Sequence, residues 1–270
     1  MKRLLVLGAS GMLGHAVDGY FQSQKDYAVT STYRNAVFLA GAGSIQFDAL
    51  SSRFEALGTG YDYVLNCVGI VKPFMAEDPV AAVRINSLFP WELARWCNAR
   101  GMRLIHITTD CVYSGLKGKY VESDPHDALD DYGKSKSLGE CVTEAMVLRT
   151  SIIGEEIHKH ASLVAWAKSQ KGKTVGGFAT HLWNGLSTRE YAVICGKIIK
   201  NGWYEAGLYH VFAADDVSKL AMMRLFNKKY SLGLTVEEKN PPPVDRTLRS
   251  EKALCGKLDV PTVAAMIEGM

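Results

Sequence analysis

The chain has 270 residues, with 31 basic and 28 acidic side chains and a net charge of +3. That balance excludes the one-sided charge of a nucleic-acid or membrane-surface binder. Hydrophobic residues make up 47% and charged residues 22%, ordinary for a globular chain of one large domain or two smaller ones. No stretch approaches the roughly 20 consecutive apolar residues of a membrane span. Lys2-Arg3 before Leu4 to Leu7 invites a secretory-signal reading, but the apolar run is too short and three glycines break the next seven residues.

Residues 2–7 predict a first strand. The turn Gly8-Ala9-Ser10-Gly11-Met12-Leu13-Gly14 comes next, and residues 15–24 predict a helix. Strand, glycine turn and helix in that order form a dinucleotide site. Gly8 permits the tight turn, Gly11 lets the backbone approach a pyrophosphate, and Gly14 lets the helix pack on the strand. Further strands are predicted over residues 27–32, 45–47, 62–68, 104–108 and 145–150. A long helix over 76–100, broken near Pro79 or Pro90, separates two of them. Repeated strand–helix units argue for a parallel sheet covered on both faces. Ligands then bind beyond the carboxyl ends of the strands. That rule selects Gly8, Tyr33, Arg34, Asp48, Asn66, Cys67, Val68, Gly69, Thr108, Thr109, Asp110, Arg149, Thr150 and Ser151.

Asp131-Tyr132-Gly133-Lys134-Ser135-Lys136 places a tyrosine and a lysine one helical turn apart. A free phenol has a pKa of about 10. A cation beside it lowers that value and makes proton transfer feasible near neutral pH. After residue 151 the pattern loosens. Helices are predicted over 162–170 and 188–200, a strand over 207–212, and an extended connection at Asn240-Pro241-Pro242-Pro243. The organisation expected is an α/β, Rossmann-like doubly wound sheet over residues 1–150, with a segment around 180–212 returning to it. Residues 151–270 mainly form a smaller substrate-binding lobe.

The cofactor can be argued further. The segment after the second strand, Ser31-Thr32-Tyr33-Arg34-Asn35, has no acid to bond ribose hydroxyls and repel a 2′-phosphate. Arg34 would attract that phosphate, so NADPH is the expected cofactor. The residues expected around it are Gly8, Ser10, Gly11, Met12, Leu13, Gly14, Tyr33, Arg34, Asp48, Cys67, Val68, Gly69, Thr108, Tyr132 and Lys136. The six cysteines, Cys67, Cys97, Cys111, Cys141, Cys195 and Cys255, show no zinc-type spacing. They read as reduced thiols of a cytoplasmic protein. His158-Lys159-His160 reads as a solvated turn and not as a metal site.

The chain resembles the extended short-chain dehydrogenase/reductases, in the branch of dTDP-4-dehydrorhamnose reductase and related nucleotide-sugar 4-ketoreductases. The resemblance is carried by Gly8 to Gly14, Asn66 to Gly69, Ile85 to Pro90, Thr108 to Gly115, the stretch around Tyr132 and Lys136, and Leu148 to Ser151. It implies hydride transfer from the nicotinamide to the C4 keto carbon of a nucleotide-linked 4-keto-6-deoxy sugar. Tyr132 would donate the proton, Lys136 would tune it and bond the nicotinamide ribose, and Thr109 would hold the carbonyl oxygen. Lys72, Asn86, Cys111, Val112, Tyr113, Arg149, Trp183, Asn184 and Arg246 are the expected substrate contacts, and no metal is implied. Cys111 stands where the rhamnose reductases usually have tyrosine, and it is not the acid that 4,6-dehydratases carry there. The resemblance leaves two alternatives: a regulatory subunit that binds NADP without turnover, and a redox-neutral nucleotide-sugar epimerase or dehydratase. By analogy with many relatives, helices of the 76–100 and 129–144 type would pair in a homodimer.

Overall fold

The computed structural model describes residues 1–35, 43–158 and 161–270. Strand β1, Lys2–Leu7, has four successive buried residues, as a strand covered on both faces requires. Their side chains alternate. Leu4 and Val6 enter one apolar layer, and Leu5 and Leu7 enter the other. Helix α1, Met12–Gln22, is next, then β2, Tyr27–Tyr33, β3, Ser44–Gln46, and β4, Tyr63–Asn66. After these come α2, Pro79–Val83, a π-helical turn, Arg84–Leu88, and α3, Phe89–Asn98. Strand β5, Arg103–Thr109, helix α4, Asp131–Leu138, and strand β6, Met146–Thr150, complete the first half.

The second half contributes β7, Ile152–Ile153, α5, Leu163–Ser169, β8, Thr174–Phe178, β9, His181–Trp183, β10, Leu186–Ser187, and α6, Thr188–Asn201. It continues with β11, Gly207–His210, β12, Val217–Ser218, α7, Lys219–Tyr230, β13, Thr235–Lys239, and β14, Val244–Asp245. Two short helices, α8, Leu254–Leu258, and α9, Val263–Glu268, close it. The main sheet is parallel with strand order β11-β6-β5-β4-β1-β2-β3. Strand β11 therefore extends the sheet beyond β6. Helices α1, α6, α7 and α9 fill one apolar layer and α3 fills the other. Three small sheets, β10-β7, β12-β9-β14 and β13-β8, assemble the second half around the site.

The long helix expected over 76–100 is interrupted for a local reason. Asp78 caps α2 by accepting from the Ala81 N–H at 3.0 Å, with Pro79 in its first turn. Four residues after Asn86, Pro90 has no N–H to offer the Asn86 carbonyl. The ladder widens there, and the Phe89 N–H bonds to the Arg84 carbonyl instead. The displaced Asn86 carbonyl faces Gly139, where an added Cβ would lie only 1.9 Å from its oxygen. Helix α4, expected to run to residue 144, ends before that contact, at Leu138.

Arg149 was expected to touch substrate. It is fully buried, and each of its five N–H groups has a protein partner. Nε donates to Glu140 Oε1 at 2.9 Å, and one terminal nitrogen donates to the Tyr113 hydroxyl and, at 2.8 Å, to His210 Nε2. The other donates to Glu140 Oε2 and His126 Nε2, both at 2.5 Å. Both histidines must therefore be neutral, with the proton on Nδ1. His210 Nδ1 faces the Arg249 carbonyl at 2.7 Å and His126 Nδ1 faces Ser137 Oγ at 2.5 Å. Burial, then Arg149, pulls His210 down to about 4, and burial lowers His126 as well.

A histidine held neutral contributes stability above its unfolded value of 6.5, and the contribution is lost as pH falls towards 4. Equilibrium urea unfolding should show wild type losing more stability over that window than His210→Gln, by on the order of 3 kcal/mol. Parallel pH profiles would contradict the neutral assignment.

Candidate functional site

The glycine turn after β1 is a cradle that side chains would destroy. Gly8 has φ +83°, its N–H donates to Thr32 Oγ1 at 3.0 Å, and an added Cβ would meet Val68 Cγ2 at 3.1 Å. A Cβ on Gly14 would lie 2.1 Å from the Gly8 carbonyl oxygen. Gly11 is the N-cap of α1, with no side-chain cap and no acid in the first turn. The first-turn N–H groups of α1 are thus left for an anion, with the helix dipole behind them. Ser10 and Met12 are half-buried beside this turn, and Leu13 packs into the core, so that only its backbone faces the cradle.

Around the cradle stand the ends of neighbouring strands. Arg34 is exposed directly after β2, and Tyr33, which ends β2, bonds Asp18 Oδ2 at 3.4 Å. Asp48 Oδ1 accepts the Leu50 N–H at 3.0 Å. Asn66 Oδ1 accepts the Val68 N–H at 3.1 Å and turns the Cys67-Val68-Gly69 segment across the top of the sheet. An added Cβ on Gly69 would lie 3.9 Å from Lys136 Nζ. The glycine cradle and helix α4 therefore border one space.

Asp130 caps α4 by accepting from the Gly133 N–H at 3.0 Å, and the exposed Lys72 ammonium pairs with it at 3.0 Å. Tyr132 is half-buried, and the Thr109 hydroxyl acts on its phenol. That hydroxyl lies 3.2 Å from Asp110 Oδ1 and accepts the Cys111 N–H at 3.1 Å. Lys136 is buried and donates to the Ile107 carbonyl at 3.1 Å. Burial pulls its pKa down to about 8, with Glu140 opposing. The Tyr132 phenol is pushed up, first by burial, then by Cys111, while the Thr109 hydroxyl pulls it down. The spacing of Tyr132 and Lys136 predicted a phenol lowered by the ammonium. Here the opposite holds, because burial, Cys111, Asp110 and Asp130 all push the phenol up and only Thr109 opposes them. Thr108 Oγ1 is buried and has no protein partner.

Several expected substrate contacts are occupied elsewhere. Asn86 is fully buried, bonds both backbone groups of Ile70 at 2.9 Å, and donates to Ser135 Oγ at 3.2 Å. It locks the loop after β4 to helix α4. Val112 is fully buried, and Tyr113 stacks on Tyr120 with centroids 4.0 Å apart while donating to the Val121 carbonyl at 2.9 Å. Asn184 clamps both backbone groups of Leu248 at 3.0 Å. With Arg149, these residues build the walls and do not face substrate. Trp183 is largely buried and carries Lys219 over its ring. Cys111 lies against α4, where a Cβ added to Gly133 would be 2.2 Å from its carbonyl oxygen, and it acts on the Tyr132 phenol; Arg246 donates to the Tyr113 carbonyl at 2.8 Å and acts on Asp110. Lys219 was missed. The signal that could have found it is a lysine in the first turn of a helix, where the dipole disfavours a cation.

Among the described residues no group of three or more metal-ligating side chains exists, and no helix is long and apolar enough to cross a membrane. Lys159 and His160 of the expected solvated turn lie outside the described residues.

Comparisons with known proteins place the fold and the family. One stretch is 32% identical over 170 residues to methionine adenosyltransferase 2 subunit beta of Pongo abelii, covering 58% of this chain and 49% of that protein. The Danio rerio protein of that name is 28% identical over 242 residues, covering 82% and 72%. The dTDP-4-dehydrorhamnose reductase of Mycolicibacterium smegmatis is 29% identical over 158 residues, covering 56% and 45%. The chain thus spans about half the length of most curated relatives it matches. Among solved structures, a Bacillus anthracis dTDP-4-dehydrorhamnose reductase in complex with NADP shares the fold. Its TM-score is 0.80 at 18% identity, covering 100% and 98% of the two chains. The model of the RmlD substrate binding domain matches residues 1–253, and the chain belongs to that family.

Proposed function

We propose that this chain is an NADPH-dependent reductase of the 4-keto group of a nucleotide-linked 4-keto-6-deoxy sugar. The observation that carries the reading is buried Lys136, one helical turn after Tyr132 on α4, with Thr109 at the end of β5 acting on the Tyr132 phenol and the glycine cradle beside them. The residues fit the cofactor. The uncapped α1 N-terminus and Gly8, Gly11 and Gly14 would take its pyrophosphate, and Arg34 its 2′-phosphate. Asp48, Cys67, Val68 and Gly69 line the same side of the sheet. A bound NADPH supplies the hydride.

The protein's own part is proton delivery. Thr109 orients the carbonyl oxygen, and Tyr132 gives its proton to that oxygen as negative charge develops there. A phenol pushed up by burial stays protonated at neutral pH, as a donor must, and is a weak acid. The Lys136 ammonium stabilises the charge left behind. Homologous dTDP-4-dehydrorhamnose reductases support this class of chemistry and, with it, a nucleotide-linked sugar as the substrate class. We propose a homodimer through the α2–α3 and α4 surface, which exposes Val80, Val83, Leu88, Leu129 and Leu138. Light scattering would show a monomer if that surface is unused.

A second reading is favoured by one observation: similarity to methionine adenosyltransferase 2 subunit beta extends over 72% of the Danio rerio protein. On that reading the chain binds NADP and a partner enzyme chain without turnover.

Spectrophotometric NADPH oxidation with dTDP- and UDP-linked 4-keto-6-deoxy sugars separates the two. The reductase reading requires turnover that falls roughly 10²- to 10⁴-fold in Tyr132→Phe. NADPH binding without oxidation of any substrate would favour the regulatory subunit. Arg34→Ala should weaken NADPH at least about tenfold while leaving NADH little changed; equal losses refute the phosphate contact. Lys136 gives a third test, in the cofactor-free protein. Its folded pKa of about 8 lies below the unfolded 10.5, so the unfolded chain holds the proton between those values and stability from this group rises with pH. Between pH 7 and pH 10 wild type should therefore gain on Lys136→Met by on the order of 3 kcal/mol in urea unfolding. A constant difference would contradict a charged, desolvated Lys136.

A further inference from the structure

Next to Thr109 and Tyr132 lies a cluster of charges that the proton-transfer step does not use. Asp110 is buried, and burial raises its carboxyl pKa while Arg246, then Lys219, hold it down. Arg246 uses only Nε on the protein, donating to the Tyr113 carbonyl at 2.8 Å. Among the described residues its two terminal nitrogens have no acceptor. Lys219 is the first residue of α7, directly after the N-cap Ser218, and no acid lies in that turn to offset the helix dipole. Its Nζ lies 5.1 Å from the centroid of the Trp183 ring. Among the described residues it makes no hydrogen bond and no ion pair.

Lys219 is costly where it stands. It is desolvated, it opposes a helix dipole, and Arg246 repels it. The ring contact offsets only part of that cost, and among the described residues Lys219 forms no ion pair with Asp110. Asp110 directly follows Thr109, so the two cations lie beside the reacting sugar. A lysine brings three donors and the free end of Arg246 four more. Unmatched donors on two cations suit an oxyanion, which accepts several charge-assisted bonds at once.

We propose that Lys219 and Arg246 together hold an anionic oxygen group of the substrate, and that Lys219 thereby selects which nucleotide sugars the site accepts. This rests on the nucleotide-sugar reading and adds a specificity residue to it. The oxyanion is either the diphosphate joining nucleoside to sugar or a carboxylate on the sugar ring.

Calorimetric titration tests this without turnover. UDP-glucose, UDP-glucuronate, UDP and dTDP-glucose are titrated into wild type, Lys219→Gln and Lys219→Arg, each saturated with NADP+. Lys219→Gln should raise Kd about tenfold or more, while Lys219→Arg stays within about threefold of wild type. Equal losses for UDP-glucose and UDP-glucuronate assign the diphosphate; a loss confined to UDP-glucuronate assigns the carboxylate. Unchanged Kd values in a Lys219→Gln protein that still binds NADP+ overturn the proposal. So does a variant that loses NADP+ and the nucleotide sugars in proportion, because Lys219 would then be structural. A wild type that binds none of the four ligands overturns both this proposal and the nucleotide-sugar reading. Lysine-dependent binding without NADPH oxidation on any keto sugar would sink only the reductase reading.

Discussion

The buried guanidinium of Arg149 is the constraint on which the site's geometry depends. A charge with no access to water is tolerated only when every donor is satisfied. Here five donors are filled by Glu140, Tyr113, His126 and His210. Those partners are not neighbours in sequence. Glu140 lies just beyond the helix that carries Tyr132 and Lys136, Tyr113 lies four residues after Thr109, and His210 ends the outermost strand, β11. One side chain thus ties both segments of the proposed catalytic trio to the sheet. Removing one partner would strand a buried charge, so the arrangement is restrained as a unit.

A second restraint acts through close backbone contact. The Asn86 carbonyl, released from its helix by Pro90, abuts Gly139, while the Asn86 side chain grips Ile70 and Ser135. This joins the π turn, the loop after β4 and helix α4. The phenol and ammonium are therefore fixed by contacts on their non-reacting sides. The ammonium lies beside the glycine cradle, and Asp110 and Cys111 act on the phenol.

Electrostatically the site has two halves. Near the cradle it presents backbone N–H groups and a helix dipole. Near Asp110 it presents two cations with unmatched donors. Between them Tyr132 is held neutral by burial, and Lys136 is held with a weakened grip on its proton. These opposed shifts are set by burial more than by neighbours.

The parallel sheet and its glycine turn were legible in the sequence because they rest on local rules: apolar runs for doubly covered strands, and glycines where a Cβ cannot fit. The Tyr132 and Lys136 spacing was legible because a helix places them on one side. The fates of Asn86, Tyr113, Arg149 and Asn184 were not legible. Each carries groups that suit a ligand as well as a protein partner, and those partners lie as far as 64 residues away. The direction of the Tyr132 shift was hidden for the same reason, since desolvation depends on what covers the ring and not on what is four residues off. Sequence alone determined the order of strands and helices and where a phosphate can approach the backbone. Tertiary structure alone decided which polar side chains are consumed as walls and which cations, Lys219 above all, are left unpaired among the described residues, because pairing is settled by contacts between segments distant in the chain.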